Sequence, residues 1–178
     1  MQIKMTLVSL ALLIAPELGN WTIDASKAKV EFSVKGVFGT VHGNFTGLKA
    51  TIQFDVRNPK AGSISASIDA KTVSTGIGLR NHHLRTEEQF LNTDKYPTIS
   101  FHSRTIEKTG SGYRASGELT IKDVTRQIQI PFTFAPNGNS GVFKGQFVIK
   151  REDFHIGKPG GSIGEEVTID LEVPVAQN

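Results

Sequence analysis

The sequence predicts an all-β, antiparallel domain folded as a sandwich or a closed barrel. Apolar and polar residues alternate with period two along most of the chain, and turn-forming clusters separate the alternating runs. No apolar helical stripe is long enough to cover a sheet, so the apolar strand faces must pack on another sheet or on one another.

The elements follow in order. Residues 1–20 carry one early cation, Lys4, then an apolar run from Met5 to Ala15, then Pro16 and Gly19. A run of that length suits the core of a secretory signal, which needs about 7–15 apolar residues, and falls short of the roughly 20 that span a bilayer. Residues 1–20 are therefore expected to be a signal peptide, and 21–178 a single domain.

From Lys27 to Lys35 the alternation is strict, with Ala28, Val30, Phe32 and Val34 on one side and lysines, Glu31 and Ser33 on the other. Gly39 to Phe45 reads as the next strand. Leu48 to Val56 and Ser63 to Ala70 repeat the pattern, with Asn58-Pro59-Lys60-Ala61-Gly62 as the turn between them. Further strands are expected over Thr98–Glu107, Tyr113–Lys122, Thr125–Phe134, Val142–Lys150 and Val167–Val173. Gly110-Ser111-Gly112, Pro136-Asn137-Gly138-Asn139 and Pro159-Gly160-Gly161 punctuate them, and short turns favour antiparallel neighbours.

Thr72 to Leu91 interrupts this rhythm for about twenty residues, a length that suggests function in a compact domain. Within it Thr86 and Gln89 have the spacing of a helix capping box, so a short helix is expected over Thr86–Leu91.

Composition narrows the chemistry. The chain has 178 residues, 38% hydrophobic and 21% charged, which sets it apart from disordered chains. It has no cysteine, which excludes disulfides, thiolate catalysis and Cys-ligated zinc. The formal charge of +3 is spread without a basic run, so no nucleic-acid partner is expected. No G-x-S-x-G elbow occurs, and Lys158-Pro159-Gly160-Gly161-Ser162-Ile163-Gly164 lacks the G-K-[ST] ending of a phosphate loop. His42, His82, His83, His102 and His155 show no paired metal-ligand spacing, and the adjacent acids Glu87-Glu88 and Glu165-Glu166 read as solvated. No catalytic residue, metal or cofactor is expected.

Several motifs converge on one family. Thr75-x4-Arg80-Asn81-His82-His83-Leu84, Gln89-Phe90-Leu91 and Tyr96-Pro97-Thr98-Ile99-Ser100-Phe101 form the central stretch. Trp21-x-Ile23-Asp24, Gly43-x-Phe45, Gly117-x-Leu119-Thr120-Ile121-x-x-Val124-Thr125 and Arg151-x-Asp153-Phe154 flank it. Together they resemble the YceI-like family of lipocalin-like polyisoprenoid-binding proteins, over nearly all of Trp21 to Val175. Gly36, Asn81 and His155 stand where that family often has His, Asp and Gly.

The resemblance implies an exported, lipocalin-like antiparallel β-barrel of about eight strands, with a short helical segment capping one end. It also implies a long apolar ligand inside: a polyisoprenoid, an isoprenoid quinone precursor or a fatty acyl amide. Small inward residues, Ala28, Ala50, Ala66, Ala115, Gly117 and Gly145, alternate with bulky ones and leave room for it.

On this expectation Phe32, Val34, Phe38, Phe45, Ile52, Phe54, Ile68, Phe101 and Leu119 contact the ligand, with Phe132, Phe134, Phe143, Phe147 and Phe154 farther along the chain. Leu79, Leu84 and Phe90 join them from the interrupting segment. Arg80, His83 and Arg151 are the head-group or rim candidates. Arg80 and His83 are read first as locking the segment to the rim, and Arg151 as pairing with Asp153 at a strand end.

The expected activity is non-catalytic binding, sequestration or transport of such a lipid, in the periplasm or outside the cell. Transient membrane contact and a homodimer are left open. Two alternatives stand beside it: an enzyme acting on an isoprenoid lipid through rim His, Asp or Glu, and a surface interaction module whose barrel core is simply packed.

Overall fold

A computed structural model describes residues 19–177, so the expected signal segment falls almost wholly outside the described residues. Ten strand segments form one antiparallel sheet: β1 (Asn20–Ile23), β2 (Lys29–Gly36), β3 (Gly39–Phe45), β4 (Lys49–Gln53), β5 (Ser63–Asp69), β6 (Thr98–Thr109), β7 (Gly112–Ile121), β8 (Val124–Asn137), β9 (Ser140–Lys150) and β10 (Glu166–Gln177). One α-helix, α1 (Gly78–Thr86), lies between β5 and β6.

The pairing order runs β1-β4-β5-β6-β7-β8-β9-β10, and β10 closes the ring on β1. The β2–β3 hairpin continues that ring: β2 pairs with β10 beyond the part of β10 that pairs with β1, and β3 pairs with β2. Thus β1 with β2, and β3 with β4, act as two long kinked strands, and the closed barrel has eight. The first kink is built by Asp24, whose carboxylate accepts from the Ser26 hydroxyl at 2.6 Å and meets Lys27 at 2.8 Å. Gly47, at φ +71°, makes the second.

The sequence expectation of nine strands omits β1, whose four residues are too few to show alternation. Trp21 is nevertheless buried, and its Nε1 donates to the Phe54 carbonyl at 2.9 Å. The strand expected to reach Val56 ends at Gln53.

The helix expected over Thr86–Leu91 is instead α1, which ends where that helix was to begin. The Thr86 hydroxyl is not a cap: it donates back to the His82 carbonyl at 3.0 Å inside the last turn. Gln89 likewise reaches the Glu87 side chain rather than the main chain of Thr86. α1 has no side-chain N-cap, so tertiary contacts hold it.

Candidate ligand cavity

The barrel has one closed end and one open end. At the closed end Phe54, 1% exposed, packs edge-on against Tyr113 at 4.9 Å and against Phe132, Phe134 and Phe143 at 5.6 Å between ring centroids. Trp21 packs edge-on against Phe134 at 4.9 Å. Such edge-to-face pairs are the favoured aromatic geometry, and they make a floor of interlocked rings.

Above this floor lie two adjoining chambers. The deeper one, about 170 Å³, is bounded by Ile52, Ala66, Ile68, Phe101, Ala115 and Gly145, among others, with Ser67, Ser100 and Lys144 at its margin. The upper one, about 370 Å³, opens under α1 and is bounded by Phe32, Val34, Phe45, Leu84, Phe90 and Ile149 with their neighbours. Ile99, Leu119, Phe147 and Ile169 line both, so the chambers meet at a waist made by those four side chains. Among the described residues no Asp or Glu lines either chamber.

The polar side chains of the upper chamber, Lys35, Thr75, Arg80, His83 and Arg151, come from the hairpin, the capping segment and the 3₁₀ turn after β9. The cap is tied to the barrel at several points. Asn81 Oδ1 accepts from both the Thr75 amide and its hydroxyl at 2.8 Å, which fixes the first turn of α1 to the segment before it. Ser74 and Asn44 exchange main-chain hydrogen bonds at 2.8 and 2.9 Å, which anchors that segment to β3. Lys122 Nζ donates to the Glu88 and His155 carbonyls at 2.8 and 2.9 Å, and burial pulls its pKa below the usual lysine value.

Arg151 is 3% exposed. Its Nε donates to the Gly164 carbonyl at 2.9 Å, Nη1 to Ile156 at 2.8 Å, and Nη2 to Ile163 at 2.9 Å and Lys158 at 3.1 Å. The guanidinium thereby folds residues 156–164 around itself, and Gly164 in turn donates to the Lys35 carbonyl. The expected pair with Asp153 does not form; the acid beside Arg151 is Glu152, at 3.4 Å.

The family model for the YceI-like domain matches residues 21–175. The chain belongs to the YceI-like family. A UPF0312 protein of Yersinia enterocolitica is 31% identical over 157 residues, covering 84% of this chain and 81% of the relative. Burkholderia cenocepacia BcnA superposes with a TM-score of 0.81 at 27% identity, over 86% of this chain and 99% of BcnA. A polyisoprenoid binding domain from Saccharophagus degradans, implicated in plant cell wall breakdown, shares the fold at TM-score 0.68 and 17% identity, over 91% of this chain and all of that domain.

In this YceI-like barrel the structure brings most of the sequence-expected residues to the cavity. Phe32, Val34, Phe45, Leu84 and Phe90 reach the upper chamber, Ile52, Ile68, Phe101, Phe132 and Phe143 the deeper one, and Leu119 and Phe147 the waist. Five lie elsewhere. Phe54 and Phe134 belong to the aromatic floor, and Phe154 is buried in the 3₁₀ turn after β9. Phe38 stands fully exposed at the β2–β3 turn, and Leu79 is exposed in the first turn of α1.

Of the rim candidates, Arg80 and His83 line the mouth, and His83 Nδ1 lies 3.7 Å from Glu87. Hydrogen bonds that join the capping segment to the barrel include the Ser74–Asn44 main-chain pair and the Lys122 bond to the Glu88 carbonyl. Lining residues left out of the expected set include Ile99, Ile149, Val167 and Ile169. The β10 pair was readable, since Val167 and Ile169 share the strand parity of Leu171. Gly117, expected inward, leaves no space: a Cβ there would lie 2.2 Å from the His102 carbonyl oxygen, because β6 carries a bulge between Ser103 and Thr105 opposite it.

Proposed function

We propose that the protein binds one long apolar lipid tail-first in the two-chamber cavity, and holds or carries it without altering it. The observation that carries this reading is an apolar cavity closed by an aromatic floor and open at one basic end. Ligand pockets of this kind are mostly apolar, with a few placed polar groups that set orientation. Each 100 Å² of tail withdrawn from water contributes about 2.5 kcal/mol before the costs of ordering and association. Membership of the YceI-like family and the shared fold of a polyisoprenoid binding domain support a polyisoprenoid, an isoprenoid quinone precursor or a fatty acyl amide as the ligand.

The reading extends to an exported protein that moves its lipid through the periplasm or medium, with Arg80 or His83 against the polar head. Purification without detergent from isoprenoid-producing cells, solvent extraction and mass spectrometry test it. A stoichiometric long-chain lipid, recovered chemically unchanged after prolonged incubation, is the expected result. An empty extract together with failure to take up added prenyl or acyl lipid would overturn the reading, and a converted lipid would replace it with the enzyme.

A further inference from the structure

Seven large hydrophobic residues are exposed among the described residues, and five of them cluster about the cavity mouth. Val37 and Phe38 form the β2–β3 turn, directly after Gly36 of the lining. Ile77 and Leu79 flank the start of α1, and Leu79 directly precedes Arg80 of the lining. Ile163 comes from the loop gathered around Arg151 and itself lines the upper chamber. These residues come from three separate segments that meet at the opening.

The charged side chains that line the mouth are basic, with Glu87 beside His83 and Glu152 beside Arg151 set back from the lining. Lys35 and Arg80 line the opening, and neither has an ion-pair partner among the described residues, so both are free to meet an anionic surface. The acids at the head of β10, Glu165 and Glu166, stay off the lining, and Glu166 lies opposite Lys150 in register.

We infer that this end of the barrel docks on an anionic lipid bilayer, with Phe38 and Leu79 inserted at the boundary of head groups and acyl chains, and with the cavity mouth facing the membrane. Single apolar side chains beside cations are what interfacial binding requires: the apolar atoms leave water and the cations meet lipid phosphates. The inference rests on the proposed lipid-binding function and adds where loading and delivery take place. A cavity that opens onto the bilayer lets the tail pass without crossing water.

The chain has no cysteine, so a single label can be placed cleanly. Phe38→Cys carries an environment-sensitive fluorophore at the mouth, and Asn139→Cys carries it on the turn at the closed end. Each is titrated with vesicles of phosphatidylcholine alone and of phosphatidylcholine with phosphatidylglycerol, at low and at molar salt. A blue shift at residue 38 alone, confined to the anionic vesicles and suppressed by salt, is expected. The unlabelled Phe38→Ser/Leu79→Ser variant is expected to partition about tenfold or more weakly. No shift, an equal shift at residue 139, an equal shift on neutral vesicles, or a vesicle-independent shift that grows with protein concentration would each overturn the inference, the last in favour of self-association. Protein that carries lipid yet shows no shift loses only the docking; protein that docks but neither carries nor takes up lipid loses only the cargo.

Discussion

Arg151 directs its guanidinium at main-chain carbonyls, and that choice decides what its loss does. Replacing it with Met leaves the carbonyls of Ile156, Lys158, Ile163 and Gly164 without their donor in a buried setting. Each buried unsatisfied group costs about 1–3 kcal/mol, but loop relaxation lets water reach some of them, so Arg151→Met is expected to lose about 3 kcal/mol. Denaturant titration reads the loss, and limited proteolysis should cut within residues 156–164. Arg151→Lys recovers only part, since an ammonium cannot reproduce the planar fork. Asp55 is a contrasting case. It is buried, and hydrogen bonds from the exposed Arg57 side chain, then from the Arg57 amide, hold its carboxyl below the usual carboxylate range. A depressed folded-state pKa stabilises above the unfolded value near 4 and is lost as pH falls through the folded value. Asp55→Asn is therefore expected to cost about 1 kcal/mol at neutral pH, a modest figure because Arg57 is largely exposed and its attraction is screened, and progressively less as pH falls below about 4. Stability curves of both proteins at pH 7 and pH 2 check this; a constant gap across the range would show that packing, not charge, is at stake.

The capping segment is the element on which access to the cavity depends, and its hold on the barrel is polar and local. α1 buries no residue completely and has no side-chain N-cap, so the paired hydrogen bonds from Thr75 to Asn81 do much of its positioning. Asn81→Ala removes both, and at about 1 kcal/mol for a net hydrogen bond the cap should open about tenfold or more readily. Faster release of a fluorescent prenyl or acyl probe, with the melting temperature little changed, is the expected readout. Asn81→Asp keeps the acceptor oxygen and should release the probe at nearly the original rate. The position of α1 also shows where sequence reasoning stops. Strand periodicity exposed most of the wall, because each strand from β2 onward hides one face and wets the other. Thr86 and Gln89 suggested a helix start by spacing alone, and the structure uses the same hydroxyl to close one, since a Thr side chain can serve either end and only tertiary contact selects. Arg151 was visible as a motif residue, but its acceptors are backbone groups of a glycine-rich loop, whose arrangement no side chain announces. Phe38 and Leu79 read as cavity residues because they are apolar; hairpin geometry turned one outward and helix phase the other.

The whole molecule is a tube whose wall must be thin in places for its interior to stay open, and two small inward residues show that smallness has two different causes. Ala66 pairs with Ala50 on β4 and Phe101 on β6, and it lines the deeper chamber, so its missing volume is cavity. Gly117 pairs with Ser103 at the β6 bulge, where backbone approaches so closely that a Cβ has no room, so its missing volume is already occupied. The same substitution should therefore have opposite consequences. Ala66→Phe adds a ring to open space, where overpacking costs about 1–3 kcal/mol at most, and the barrel should fold with its deeper chamber blocked. A long-chain lipid should then bind at least tenfold more weakly, while a short-chain analogue confined to the upper chamber keeps its affinity. Gly117→Phe drives side-chain atoms into the β6 main chain and should abolish folding, seen as loss of the β-sheet circular dichroism signal. Even Gly117→Ala should be strongly destabilising, because the collision begins at the first carbon. Full long-chain uptake by folded Ala66→Phe would mean that the tail never descends past the waist at Leu119 and Phe147, leaving the upper chamber as the whole binding site.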